Sequence, residues 1–259
     1  DSLAIFSGQP VALGAFSILI FLGGIGFPVI FEIYHRFILN DRQRLKLQTK
    51  MALYVSLVLI LLGVVVFYFQ SLLGTTIPLN ESLFHSISAR TAGFSMGDIS
   101  SYSLSALWLM LFLMIIGASP GSTGGGIKTT TFGVLFIALV NTIRGRDQIH
   151  VFDRNVKLAI VLKALAILTM SFTIIFVAFF ILLITETIPF FPLLFETVSA
   201  FATVGFSMGI TSDLSEPGKL IIIFLMLFGR IGPLTLAVAL TKRPKAIHYK
   251  LPNETILLG

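Results

Sequence analysis

"SARTAGFSMGDIS" at 88–100 and "SAFATVGFSMGIT" at 199–211 say nearly the same thing twice. Both run threonine, one further residue (Ala92 or Val204), then Gly-Phe-Ser-Met-Gly, and their central glycines, Gly93 and Gly205, stand 112 positions apart. Each follows a short run, "SLFHSISA" at 82–89 and "LLFETVSAFA" at 193–202. These runs are too short to cross a bilayer and too apolar for an open loop. Each is expected to form a half-helix that enters the membrane and stops at the threonine, leaving 91–95 and 203–207 as a non-helical return leg. Such backbone is tolerated at membrane depth only when buried in protein or lining a watery cavity, so the return legs should face a hole.

The setting for that inference is compositional. The chain is 56% hydrophobic and 12% charged, against about 25% charged in soluble domains. Stretches 11–31, 51–80, 99–127 and 164–185 carry no charge, and about 20 apolar residues suffice for a membrane-spanning helix. Stretch 220–241 would join them but for Arg230. The chain reads as an all-α integral membrane protein. Its net charge of +6 is a matter of placement. Apart from Arg90, Lys128, Lys219 and Arg230, the 18 Lys and Arg fall in three clusters, within 36–50, 144–163 and 242–250. The positive-inside rule assigns basic segments 35–50, 144–163 and 242–250 to the cytoplasm and the polar stretches 71–106 and 185–219 to the outside. Anionic lipid is a secondary use for these charges, and nucleic acid is not needed to explain them. The absence of cysteine excludes disulfides and thiolate metal sites.

The repeat extends beyond the glycine stretches. At the same offset "FLMIIG" (112–117) falls on "FLMLFG" (224–229), and "FLGGIGFPV" (21–29) resembles "LFGRIGPLT" (227–235). The expected architecture is repeated helix–pore loop–helix (M1-P-M2) units around a pore. Residues 1–50 hold the last helix of a preceding repeat and a cytoplasmic linker, 51–157 one complete unit with an interrupted second helix, and 158–259 another with a C-terminal tail. Spans are expected at 11–34, 51–73, 104–117 with a continuation at 129–143, 163–185 and 220–240. The orphan helix at the front predicts that the chain is the later part of a longer protein.

Glycine lets backbone carbonyls turn to one side through φ > 0 conformations. A row of carbonyls with a threonine hydroxyl can replace the water shell of a monovalent cation, and the C-terminal end of each half-helix is partly negative. Thr91, Ala92, Gly93 and Phe94, with Thr203, Val204, Gly205 and Phe206, are therefore the candidate filter. No carboxylate occurs in either leg, which fits K⁺ or Na⁺ better than Ca²⁺.

The second sequence feature is "GASPGSTGGGIKTTT" at 117–131. Pro120 disrupts helical bonding, and Gly121, Gly124, Gly125 and Gly126 weaken a helix by about 1 kcal/mol each relative to alanine. The apolar run 104–116 spans only about 20 Å at the helical rise. Gly117, Ala118, Ser119, Pro120, Gly121, Ser122, Thr123, Gly124, Gly125, Gly126 and Lys128 are expected to form an intramembrane gate loop below the filter; a connecting loop outside the bilayer is the alternative. It is not a phosphate loop, since G-x-x-x-x-G-K-[ST] spacing is lacking.

The paired "TAGFS" and "TVGFS" legs together with this glycine loop resemble the Trk/Ktr/HKT superfamily of K⁺ transporters, most closely the bacterial Ktr pore subunits. The resemblance covers essentially the whole chain. It implies four units around one pore, of which this chain holds the third and fourth, so a missing N-terminal half is needed to complete it. It also implies K⁺ as the permeating ion, no covalent or nucleotide cofactor in this chain, a homodimer in the bacterial cell membrane, and a cytosolic ring of nucleotide-binding RCK subunits. Segment 117–131 matches the family's gating loop, and Arg230 matches a basic residue of related transporters.

On its own chemistry, Arg230 is a charge at mid-bilayer, which usually faces the protein interior and has a function: an electrostatic barrier bonded to loop or filter carbonyls, or a structural tie to Glu196. Lys128 either gates or snorkels to the cytoplasmic mouth. His85 and Glu196 lie on the short helices, more as packing residues than ligands. Asp98 and Asp213 either concentrate cations at the outer mouth or are solvated loop charges. Trp108 reads as an interfacial anchor. The four histidines show no metal spacing, and no catalytic constellation is present, so an enzyme is not expected. The expected function is selective K⁺ uptake through a gated pore; a secondary transporter with broken helices and a non-conducting scaffold subunit are the alternatives.

Overall fold

The computed structural model describes residues 2–6, 8–39, 44–72, 79–146, 148–152, 154–233 and 235. Arg42, Lys242, Arg243, Lys245, Lys250, segment 236–241 and the expected tail lie outside the described residues.

Helices run in chain order as α1 (Pro10–Ile25), α2 (Phe27–Phe37), α3 (Leu47–Leu72), α4 (Leu79–Ser88), α5 (Leu104–Ile115), α6 (Thr129–Ile143), α7 (Leu158–Thr185), α8 (Phe190–Ala202) and α9 (Glu216–Ile231). The strands among the described residues are β1 (His150–Val151) and β2 (Arg154–Asn155), paired antiparallel with His150 opposite Asn155. The sequence of long helix, short helix, extended leg and second helix thus occurs twice, as α3–α4–α5/α6 and α7–α8–α9.

Local chemistry accounts for the boundaries. Ser103 caps α5 by accepting from the Ala106 amide, and Ser215 caps α9 by accepting from the Gly218 amide. Proline stands in the first turn of α1, α2 and α9, where its missing N–H costs no helical bond. At 26 and 28 residues, α3 and α7 exceed the length needed to cross a hydrocarbon core.

One expectation changes. The apolar run 11–34 is not a single helix: α1 and α2 meet at 100° across Gly26. Gly26 sits at φ 91°, and a β-carbon there would lie 2.5 Å from the Pro120 carbonyl oxygen. Hydropathy runs straight through this corner, so the break was invisible to it; the corner packs against a loop distant in sequence, and Pro28 in the first turn of α2 has no N–H to donate back into α1.

The short helices occupy the interior. Helix α4 packs on α3 and α1, and α8 packs on α9, α7 and α5. Phe195, Phe201, Leu193 and Phe206 join Met110, Leu113 and Met114 of α5 in the main apolar core. Outward faces of α3, α7 and α9 are apolar too, with Leu61, Val65, Phe176, Ile184 and Phe224 exposed, while Ser56, Ser86, Ser171 and Thr129 are buried. An apolar outer surface, with hydroxyls buried beside the apolar core, is the distribution expected where the surroundings are lipid.

Candidate functional site

Helices α4 and α8 unwind in the same way. Thr203 leaves α8 in the left-handed region (φ 54°, ψ 40°), its amide donating back to Ser199 and Ala200. Thr91 adopts φ 71° after α4, while the Ala92 and Gly93 amides both donate to Ser88 O, at 3.0 and 3.1 Å. Left-handed backbone is uncommon for threonine and persists only where surroundings over-determine it. Two residues later the chain turns again, at Gly93 (φ 70°) and Gly205 (φ 97°). Ser88 Oγ donates to Phe94 O at 2.6 Å and pins the first leg to its own helix.

The legs lie flank to flank. A β-carbon on Gly93 would stand 2.0 Å from Val204 O and 2.9 Å from Gly205 Cα. Gly93 of the first leg is therefore brought against Val204 and Gly205 of the second, with Thr91, Ala92 and Phe94 flanking this contact in sequence on one side and Thr203 and Phe206 on the other. The two sets differ at their outer ends: Phe206 is buried, whereas Phe94 is 41% exposed.

Segment 117–128 folds beneath these legs. Its neck is a parallel bridge between Ile116 and Ile127: the Gly117 amide donates to Ile127 O at 2.8 Å and the Ile127 amide to Ile115 O at 3.2 Å. Ser119 Oγ and Thr129 Oγ1 join across it at 2.9 Å. Its tip meets both threonines. The Gly125 amide donates to Thr203 Oγ1 at 3.0 Å, and a β-carbon on Gly124 would stand 2.0 Å from Thr91 Oγ1. Only glycine at 124 and 125 allows the tip this close.

The other edge of the loop is held by the α1–α2 corner. The Ser119 and Thr123 amides donate to Gly24 O and Gly23 O at 2.9 and 3.3 Å, and the Phe27 amide donates to Gly121 O at 3.0 Å. Two cations grip the tip: Lys128 Nζ donates to Gly124 O at 2.5 Å, and Arg230 Nη1 donates to Thr123 O. Gly117, Ala118, Ser119, Gly124, Gly125 and Gly126 are buried, whereas Pro120 and Ser122 are half-buried and Gly121 and Thr123 are exposed.

Several secondary candidates take structural places. Glu196 is buried and accepts from Thr211 Oγ1 at 2.6 Å; its bond goes to the loop after the second leg, not to Arg230. His85 Nε2 meets Tyr102 OH at 2.8 Å amid Phe67 and Phe84. Asp98 caps the turn Ile99–Ser101, and the Ser100 hydroxyl and amide hold its carboxyl below the usual carboxylate range. Asp213 closes the turn Thr211–Asp213. Trp108 is half exposed and meets Phe191 edge-on. Among the described residues no His, Cys, Asp and Glu cluster could hold a metal ion.

Arg90 is the residue that sequence reasoning misplaced. Counted as a charge of an outside segment, it is 8% exposed and reaches Ser56 and Gly117. Its position one residue before a threonine of the candidate filter was the available signal.

Comparison with known proteins identifies the chain's relatives. Residues 1–249 match the family model described as TrkH, cation transport protein. The Ktr system potassium uptake protein B of Vibrio alginolyticus is 40% identical over 267 residues, covering 100% of this chain and 58% of that protein. Its Bacillus subtilis counterpart is 36% identical, covering 100% and 59%. The potassium/sodium uptake protein NtpJ of Enterococcus hirae is 38% identical, covering 100% and 60%. The chain thus spans about three fifths of the length of these relatives. Among solved structures, the potassium transporter TrkH from Vibrio parahaemolyticus superimposes with a TM-score of 0.75 over 93% of this chain and 54% of that one. At 19% identity this is a likeness of fold.

Proposed function

Since the chain belongs to the TrkH family of cation transport proteins, we propose that it supplies two walls of a K⁺-selective uptake pore and the loop that gates it. The observation that carries this is the stacking of one structure on the other. Two glycine-bearing legs lie side by side, and the Gly124–Gly125 tip closes on the threonines at their inner end.

The physics runs as follows. Backbone carbonyls at Thr91, Ala92, Gly93 and Phe94, and at Thr203, Val204, Gly205 and Phe206, replace part of the water shell of K⁺. The C-terminal ends of α4, at Ser88, and of α8, at Ala202, lead into the two legs and add negative potential there. Entry toward the cytoplasm requires the tip of segment 117–128 to leave the threonines. Arg230, on Thr123, and Lys128, on Gly124, hold it in place and set a positive barrier below the filter. K⁺ is the transported ion, and neither covalent nor nucleotide chemistry is assigned to this chain.

The assembly proposed with it has residues 1–50, 51–157 and 158–259 as successive parts of a four-unit pore, the other two walls coming from a preceding half. The protein sits in the bacterial cell membrane, as a homodimer, with 35–50, 144–163 and 242–250 facing the cytoplasm and a nucleotide-binding RCK ring docked there. The relatives are named as potassium or potassium/sodium uptake proteins, which supports uptake as the activity.

The test uses the full-length protein in cells lacking other K⁺ uptake systems. Uptake of K⁺ at low external concentration is expected, and Arg230→Ala should raise flux by releasing Thr123. Cells that take up no K⁺ despite protein in the membrane would overturn the proposal.

A further inference from the structure

Between the end of α4 and Thr91 lies Arg90, a permanently charged side chain that is 8% exposed. Among the described residues no carboxylate pairs with it; the ion pair found there is Lys219 with Glu216. Its guanidinium is compensated by neutral oxygens. Nη1 donates to Ser56 O at 3.3 Å, and Nη2 donates to Ser56 Oγ at 3.1 Å and, at the long limit of a hydrogen bond, to Gly117 O at 3.5 Å.

These oxygens belong to two elements of different duty. Ser56 is part of α3, a fixed outer helix. Gly117 is the second residue beyond the end of α5, at the neck of the loop, where its amide bonds Ile127 O. Arg90's own backbone continues directly into Thr91, against which Gly124 at the loop tip is packed. One side chain therefore joins the outer helix, the neck of the loop and the filter leg.

We propose that Arg90 is a positioning residue that locks the neck of the gate loop to the filter leg 91–94, acting through Gly117 and Thr91 and not by contact with the permeating ion. The inference rests on the pore function proposed above and adds a second clamp to it. Arg230 and Lys128 hold the tip of the loop; Arg90 holds its root. The planar fork of a guanidinium can serve acceptors on two elements at once, which a lysine ammonium on a flexible stem does less well. When the loop moves, the bond to Gly117 is the one that must break, since it is the longest of the three, while Ser56 keeps the charge solvated.

The experiment compares wild type, Arg90→Lys and Arg90→Gln in the full-length protein, without the cytosolic partner. K⁺ uptake is normalised to protein in the membrane, and KM and maximal rate are read separately. Loss of the bond to Gly117 should raise the maximal rate of partner-independent uptake by roughly 2- to 10-fold, the worth of one net hydrogen bond, with KM for K⁺ nearly unchanged. A merely structural role lowers the amount of protein and leaves the rate per molecule alone. Arg90→Lys keeps the charge and decides the matter where Arg90→Gln does not reach the membrane. A rate per molecule equal to or below wild type overturns the assignment. Wild-type protein that takes up no K⁺ even with its cytosolic partner present defeats the pore reading itself, whereas wild-type uptake with unaltered variants defeats only the role given to Arg90.

Discussion

Thr203 and Gly125 share a hydrogen bond: the Gly125 amide donates to Thr203 Oγ1 at 3.0 Å, across 78 residues of sequence. The threonine ends the pore helix α8, and the glycine is the tip of the loop below. In the function proposed above, the inner end of the filter and the top of the gate are thus one contact surface, and an ion leaving the filter meets the loop first.

Removing that acceptor should loosen the gate. Thr203→Val retains a β-branched side chain but leaves the buried Gly125 amide unpaired, at a cost of about 1–3 kcal/mol. Partner-independent uptake of rubidium by the full-length protein should rise about tenfold in Thr203→Val and change little in Thr203→Ser. Equal flux in both variants and wild type would show that the bond does not hold the gate.

The fit of the tip is steric as well. A β-carbon on Gly124 would stand 2.0 Å from Thr91 Oγ1 and 2.7 Å from Ala118 Cβ, whereas one on Gly97 meets nothing within 4 Å. Gly124→Ala should therefore displace the tip and raise flux or abolish regulation, while Gly97→Ala behaves as wild type. Indistinguishable uptake by the two variants would place the tip elsewhere.

Acid should weaken one surface cap. Glu186, just past α7, accepts from the Ser215 amide at 3.1 Å and from the Ser215 hydroxyl at the start of α9. The Ser215 hydroxyl, ahead of its amide, holds the Glu186 carboxyl below the ordinary value. A depressed carboxylate contributes fully above its unfolded pKa, about 4.3 for glutamate, and the contribution is lost as pH falls through the folded value. Thermal unfolding in detergent should show wild type losing more stability than Glu186→Gln between neutral pH and about pH 3.5. Identical losses would assign the acid sensitivity to other groups.

Much of the site was legible because its chemistry is local. Gly93 and Gly205 announce themselves by repetition, and Pro120 with Gly124–Gly126 cannot continue a helix. The all-α membrane class follows from uncharged stretches whose length is set by the bilayer. Features made by distant contacts were not legible. The corner at Gly26 packs on Pro120, and hydropathy carries no trace of it. The left-handed turns at Thr91 and Thr203 come from helix ends that no threonine propensity predicts. Arg90 was read from its neighbours in sequence as an outside charge, but its burial depends on Ser56 and Gly117. Glu196, offered as a partner for Arg230, is instead claimed by Thr211.

The filter itself is tested most directly at Gly205. It stands at φ 97° with only Gly93 Cα, at 3.8 Å, near the site of an added β-carbon, so serine fits in space but strains the backbone that aims the carbonyls. The measurement is competitive uptake of K⁺ and Na⁺ by the full-length protein in K⁺-starved cells, wild type against Gly205→Ser. Preference for K⁺ in wild type and its marked decline in Gly205→Ser are expected if these carbonyls select the ion. An unchanged K⁺/Na⁺ ratio, with both proteins present in the membrane and transporting, would contradict a filter built on Gly93 and Gly205.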